Sequence, residues 1–316
     1  MLKIQNNIQK YAILGVFILL FVFFSIGVQN FPTSANLANI VVQSSILAVM
    51  ALGLNMVMMV GEIDISFAGS VPLLACIFVL LVNGGKPSLL AFGTILLADL
   101  IISLVNVLLI VKLKLNSFIT TAAMMFLLNG LWFKITKGNN IWIKEGFDRS
   151  FIYGYIGPIP IVGIILIFLF IILYLMTERS RFGMAMRAVR SDAETARSSG
   201  INVFFTKTFT FLMTGAVFAL CTILIVARLS GAVATSGTDV MLPTMTIAFV
   251  GQSVLGLGRP NMWGILIGAF LLGMVNNAFT LMNMPFWSVP MAYGTILLIS
   301  IALANIGQNQ IKQIRL

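Results

Sequence analysis

Residues 159–177, Ile-Pro-Ile-Val-Gly-Ile-Ile-Leu-Ile-Phe-Leu-Phe-Ile-Ile-Leu-Tyr-Leu-Met-Thr, run without a charged side chain. A helix needs about 20 mostly apolar residues to cross the hydrocarbon core of a bilayer, and this run is long enough. The chain then turns polar at once, with Glu178-Arg179-Ser180-Arg181. The same alternation of apolar run and short polar break recurs on both sides of it. Runs at 11–29, 37–60, 65–83, 88–111, 117–133, 159–177, 207–227, 239–256, 261–282 and 287–305 predict ten membrane-spanning helices. They form an all-α membrane protein with one domain over residues 1–316 and one or two broken or re-entrant segments.

The composition agrees. Of 316 residues, 59% are hydrophobic and 9% are charged. Soluble domains carry about 25% charged residues. A soluble core of this size has no use for so much apolar surface, whereas lipid is itself an apolar solvent. The 25 Phe and 18 Met suit lipid-facing and helix-packing surfaces.

A net charge of +10 would suggest nucleic acid in a soluble protein, but here the 19 Lys and Arg sit mostly in the breaks between apolar runs. That pattern orients a membrane protein. With the N-terminus cytoplasmic, the inside segments hold thirteen basic residues: Lys3, Lys10, Lys112, Lys114, Arg179, Arg181, Arg187, Arg190, Arg197, Lys207, Arg259, Lys312 and Arg315. The outside segments hold six, namely Lys86, Lys134, Lys137, Lys144, Arg149 and Arg228. The asymmetry is consistent with ten spans and both termini in the cytoplasm, with the bilayer rather than nucleic acid as partner.

The chain has no histidine, which removes His-based triads, His proton relays and most transition-metal sites. Its two cysteines, Cys76 and Cys221, lie inside apolar runs and read as small buried hydrophobes. The first run follows Lys3 and Lys10, as a signal peptide would, but no small-residue cleavage pattern follows it. It reads as a retained first helix.

Two segments do not read as simple connections: Gly61-Glu62-Ile63-Asp64-Ile65-Ser66, and the Gly-, Ser- and Thr-rich stretch from Arg228 to Leu242. Irregular backbone at membrane depth survives only where protein buries it or a wet cavity borders it. Short surface turns are the alternative. The longest inside segment, about 177–206, mixes five Arg with three acids between 178 and 197 and interleaves small apolar residues. It predicts a short amphipathic helix closed by Gly200. Its mixed charge suits docking to another protein better than resting on lipid.

Several of these stretches together resemble the permease subunits of ribose-type ATP-binding-cassette importers. Residues 61–66 are similar to that family's G-G-I-D-L-S, with Glu62 in place of the second Gly. Asn106, then Lys112-Leu113-Lys114-Leu115-Asn116-Ser117-Phe118-Ile119, resemble its N-G-x-x-x-x-K-L-x-x-x-x-F-I, with Val107 replacing the Gly. Phe182-Gly183, Arg187-Ala188-Val189 and Glu194-Thr195-Ala196 leading to Gly200 resemble the loop that docks on the ATPase. Gly264-x-x-x-Gly268 and Met274-Val275-Asn276-Asn277 resemble a late G-x-x-x-G and N-N stretch.

The resemblance spans about residues 36–305 with spacing preserved. It implies an importer of a small sugar in the bacterial cytoplasmic membrane, built from two permease subunits, identical or related. A cytoplasmic ATPase would dock under the 178–206 loop through Arg187, Ala188, Asp192, Glu194, Ala196 and Gly200. An external binding protein would deliver the cargo. ATP and magnesium would belong to the ATPase, because this chain lacks a G-x-x-x-x-G-K-[ST] phosphate loop and needs no cofactor of its own.

Candidate path residues are the polar ones inside or beside the apolar runs. Glu62 and Asp64 read either as path-lining acids or as caps of a helix that starts near Ser66. Asp99 is the deepest acid by position and reads as path lining or as a neutral hydrogen-bonding partner of another helix. Asn55, Asn276 and Asn277 line a path or glue helices together. Gly264 and Gly268 read as a close helix contact.

Two other classes compete. An ion-coupled secondary transporter has similar spans but no need of a docking loop. An intramembrane enzyme requires a nucleophile and base or a metal set that this sequence does not supply. Within the family, a furanosyl signal such as autoinducer-2, or nucleosides, are alternative cargoes.

Overall fold

The computed structural model of the chain describes residues 2–144, 147–253 and 259–314. In chain order the elements are α1 (Leu2–Gly27), α2 (Ser34–Met59), α3 (Phe67–Asn83), α4 (Ser88–Val107) with a π-helical turn Leu108–Lys112, and α5 (Ser117–Thr136). There follow β1 (Ile141–Trp142), α6 (Ser150–Tyr153), β2 (Tyr155–Ile156), β3 (Ile159–Pro160), α7 (Ile161–Glu178), α8 (Arg181–Ser191) and α9 (Ala193–Ser198). The last are α10 (Val203–Leu229), β4 (Gly231–Ala232), α11 (Ser236–Ser253), α12 (Met262–Leu281) and α13 (Ser288–Ile314).

The fold is a predominantly helical membrane fold. Among the described residues, six helices are long and apolar enough to cross a bilayer: α2, α4 with its π turn, α5, α7, α10 and α12. Shorter apolar helical stretches, Leu14–Gly27, Phe67–Asn83 and Ser288–Ala302, fall in α1, α3 and α13. The run expected at 239–256 forms α11 as far as Ser253, and its last residues lie outside the described ones. Gly237, Thr238, Asp239, Pro243, Thr244 and Thr246 dilute its apolar character, which sets it apart from the six.

Helix starts follow from local chemistry. Asn116, Asn202 and Asn261 each accept a backbone N–H with the side chain, from Ile119, Phe205 and Gly264 respectively. Each replaces one of the missing intrahelical partners of a first turn.

The chain divides into two compact units. One comprises Met1–Asn55, Pro158–Leu166 and Leu242–Leu316, and the other Met56–Gly157 and Ile167–Met241. In the first, α1 and α12 share an apolar cluster containing Phe24, Phe31, Ile40 and Met274. Small residues let helices approach closely there. A Cβ on Gly264 would lie 2.2 Å from the Gly251 carbonyl oxygen, and one on Gly273 would lie 2.0 Å from Ser44 Oγ.

In the second unit α3 is the hub, packed against α4, α5 and α10. Its cluster includes Leu74, Phe78, Ile95, Trp132 and Val226. A Cβ on Gly69 would lie 2.4 Å from the Met125 carbonyl oxygen, so α3 and α5 touch backbone to backbone. The stretch 228–242, expected as irregular backbone or short turns, holds the end of α10, a turn, β4 and the start of α11. Ser230 turns the chain in the left-handed region, β4 pairs antiparallel with β1, and α11 begins at Ser236.

Candidate functional site

The end of α2 is where the second unit becomes irregular. Gly61 takes φ +86, a region glycine enters without steric penalty. Residues 62–65 then form neither helix nor strand before α3 begins. A partly buried segment outside helix and strand must find partners for its backbone groups. They come from hydroxyls on α5: the Ile63 N–H donates to Ser117 Oγ at 3.2 Å and the Ile65 N–H to Thr121 Oγ1 at 3.2 Å.

Asp64 is buried and faces inward to the start of α3. Its Oδ1 accepts from the Ser66 N–H at 2.9 Å and from Ser66 Oγ at 2.6 Å. Asn106, on α4, donates from Nδ2 to Ser66 Oγ at 3.0 Å. Two turns away along α4, the carboxyl of Asp99 faces Ser70. Asp99 Oδ2 and Asn106 Oδ1 are buried with no hydrogen-bond partner among the described residues.

The charged loop grips the same segment from its two ends. On α8, Arg190 donates from Nη1 to the Met58 carbonyl in the last turn of α2 at 2.6 Å, and its Cα lies 3.6 Å from where a Gly61 Cβ would be. On α10, the Lys207 ammonium forms an ion pair with Glu62. The two side chains are only 16% and 15% exposed, so this pair is largely withdrawn from solvent.

The loop itself departs from the single helix read from its sequence. Asp192 takes extended backbone (φ −162, ψ 116), ends α8 and caps α9 by accepting the Thr195 N–H at 2.6 Å. That N–H holds the Asp192 carboxyl below the usual carboxylate range. α9 closes as expected at Gly200 (φ +84), with the Gly200 N–H on the Arg197 carbonyl and the Ile201 N–H on the Ala196 carbonyl. That double closure is a Schellman motif. Ala196, Val189 and Val203 form a small buried core, partly lined by Ala188. Glu194 pairs with Arg197 on the open face, while Arg187 bonds the Thr177 carbonyl and Glu178. A Cβ on Gly183 would fall 1.7 Å from the Thr177 carbonyl oxygen, so no other residue fits the α7–α8 corner.

The other polar residues singled out from the sequence lie in the first unit. Asn55 donates to Met262 Sδ at 3.6 Å and leaves its Oδ1 unpartnered among the described residues. Asn277 and Asn36 exchange amide bonds at 2.8 and 2.9 Å, and Asn276 donates to Gln43 at 3.3 Å. The sequence did not single out Ser117, Thr121, Arg190 or Lys207 as site residues. Lys207 entered only as a charge that orients the chain, Arg190 only as that and as one of the loop's charges, Ser117 only within a stretch of the resemblance, and Thr121 carried no signal.

Residues 36–302 match the family described as branched-chain amino acid transport system / permease component. The chain is 29% identical over 286 residues to the ribose import permease protein of Escherichia coli (strain K12), covering 87% of each chain. It is 29% identical over 293 residues to the ribose import permease protein of Bacillus subtilis (strain 168), covering 92% of this chain and 90% of the other. It is 27% identical over 311 residues to the L-arabinose ABC transporter permease protein of Azospirillum brasilense, covering 96% and 89%. No solved structure matches the chain.

Proposed function

We propose, for a chain that belongs to the branched-chain amino acid transport system / permease component family, that it is the membrane subunit of an ATP-driven importer of a small sugar. It is a transport subunit and not an enzyme, and it resides as a multi-pass protein in the bacterial cytoplasmic membrane. The ribose-type resemblance drawn from its motifs agrees with the ribose and arabinose permeases it matches.

The observation that carries the reading is the capped two-helix loop between α7 and α10, joined on both flanks to the break after α2. A secondary transporter has no use for a compact charged platform of this kind. The finer reading keeps one permease domain over 1–316, ten spans and both termini in the cytoplasm. A cytoplasmic ATPase docks on Arg187, Ala188, Asp192, Glu194, Ala196 and Gly200 and carries the ATP and magnesium. A second permease subunit completes the pore, and an external binding protein delivers the cargo.

Among the path candidates, Asn55 and Asp99 hold buried oxygens with no hydrogen-bond partner among the described residues, which suits groups that meet a passing polyol. Glu62, Asp64, Asn276 and Asn277 are occupied by other side chains and position helices each within its own unit.

The test is uptake of labelled ribose and arabinose by cells with and without the chain, before and after ATP depletion with the ion gradient intact. Uptake that needs both the chain and ATP is expected. Undiminished uptake after ATP depletion refutes the ATP-driven reading, and competition by nucleosides or a furanosyl signal would reassign the cargo.

A further inference from the structure

Glu62 is where this chain puts a charge into the G-G-I-D-L-S pattern its motif resembles, its other departure being Ile65 for Leu, and it carries the one charge of 61–66 besides Asp64. An acid in a nearly dry position is costly unless it is paired, and pairing seldom yields net stability over an apolar alternative. What such a pair does supply is a fixed geometry. Its partner, Lys207, lies in the second turn of α10, just past the end of the charged loop. At the loop's other arm, Arg190 on α8 holds the Met58 carbonyl, four residues before Glu62. The break after α2 is therefore tied twice, on either side of its glycine, to the element that reads as the ATPase platform.

Beyond these ties a continuous line of bonds leads inward. Asp64 holds Ser66, and Ser66 accepts from Asn106 on α4. The residues on either side of Asp64, Ile63 and Ile65, rest on α5 through Ser117 and Thr121. A displacement of the loop acts on α2, α3, α4 and α5 through this one segment.

We infer that Lys207 and Arg190 are positioning residues that latch the 60–66 break to the charged loop, so that movement of a docked ATPase is passed to the helices of this unit through Glu62 and the Met58 carbonyl. The inference rests on the importer reading above. The Lys207–Glu62 half of the latch is a feature of this chain, added where its motif changes a glycine to an acid.

The experiment uses the whole transporter, purified with its ATPase and binding protein and reconstituted in liposomes, with labelled ribose as the probe. The variants are Lys207→Met, Arg190→Met, and the exchange Glu62→Lys with Lys207→Glu. Ribose moved per ATP hydrolysed is expected to fall about tenfold in Lys207→Met, within the usual range of a coupling between two sites, while basal ATP hydrolysis persists. The exchange should recover most of the loss.

Uptake and hydrolysis that fall in equal proportion would mark a merely structural role and overturn the latch. So would an unchanged ratio, or an exchange that fails to rescue. Hydrogen exchange of the 62–66 amides in the same preparations reads the latch without transport: both single variants should speed it locally, and unaltered exchange overturns the inference. A wild-type complex that hydrolyses ATP yet moves neither ribose nor arabinose refutes the sugar-importer reading instead, and the exchange measurement then decides the latch alone.

Discussion

The reciprocal amide pair between α2 and α12 gives the sharpest quantitative test of how the first unit is held. Asn36 and Asn277 are 7% and 5% exposed, and each donates to the other's oxygen, at 2.9 and 2.8 Å. Asn36 also donates to the Phe31 carbonyl at 2.8 Å. Asn277→Leu removes both cross-helix bonds. It leaves Asn36 with one donor bond intact and its Oδ1 stranded.

Interhelical hydrogen bonds in membrane proteins average about 0.6 kcal/mol each. A buried acceptor left without a partner costs about 1–3 kcal/mol more. The single substitution should therefore destabilise by about 2–4 kcal/mol, on the scale of those two principles. Asn36→Leu with Asn277→Leu removes the cross-helix bonds and strands neither amide oxygen, losing besides only the Asn36 bond to the Phe31 carbonyl, so the cost of the double variant should be well below the sum of the singles. The assay is equilibrium unfolding in mixed detergent and SDS micelles, run as a double-mutant cycle. Additivity to within about 0.5 kcal/mol, the behaviour of uncoupled sites, would refute the reasoning.

Other outcomes follow from single contacts. Gly183→Ala puts a Cβ into the Thr177 carbonyl, so co-purification of the ATPase with the chain should be lost, whereas Arg181→Ala, outside the named docking set, should retain it. Asp192 has its carboxyl lowered by the Thr195 N–H, so it contributes stability that is complete above the ordinary aspartate range and is lost as pH falls through the lowered value. Amide protection in α9, read by hydrogen exchange on the intact chain, should fall on acidification, and Asp192→Asn, which still caps, should remove that dependence. Cys76 and Cys221 are both fully buried, so a membrane-impermeant maleimide should label neither in the folded protein and both after denaturation.

The apolar helices were legible in the sequence because lipid leaves them little choice: every backbone group must be bonded within the segment, so length and hydropathy suffice. The run at 159–177 became α7 with its bounds shifted by no more than two residues. The 228–242 stretch left irregular backbone and short turns both open because glycine, serine and threonine suit either, and from Ser236 they permit the start of α11 to lie on the backbone of α3, where a Gly237 Cβ would be 2.1 Å from the Ala68 carbonyl oxygen. The division of the charged loop at Asp192 was hidden because an aspartate in a helical pattern reads equally as an interior residue or a cap. Composition placed Glu62 beside a break, but Lys207 is 145 residues away, and no local pattern joins them. Site residues found through folding distance rather than spacing are those a linear reading leaves out.

In the break after Gly61, Ile63 and Ile65 take their backbone partners from side chains and not from a neighbouring strand. A strand neighbour accepts almost any residue, because the bonds belong to the main chain. Here the requirement passes to the identities of two distant residues, both buried. Thr and Ser can exchange at 117 and 121 with the hydroxyl preserved. Val at 121 would keep the volume and leave the Ile65 N–H without its acceptor at membrane depth, a loss that a shape-based view of the helix packing would never register.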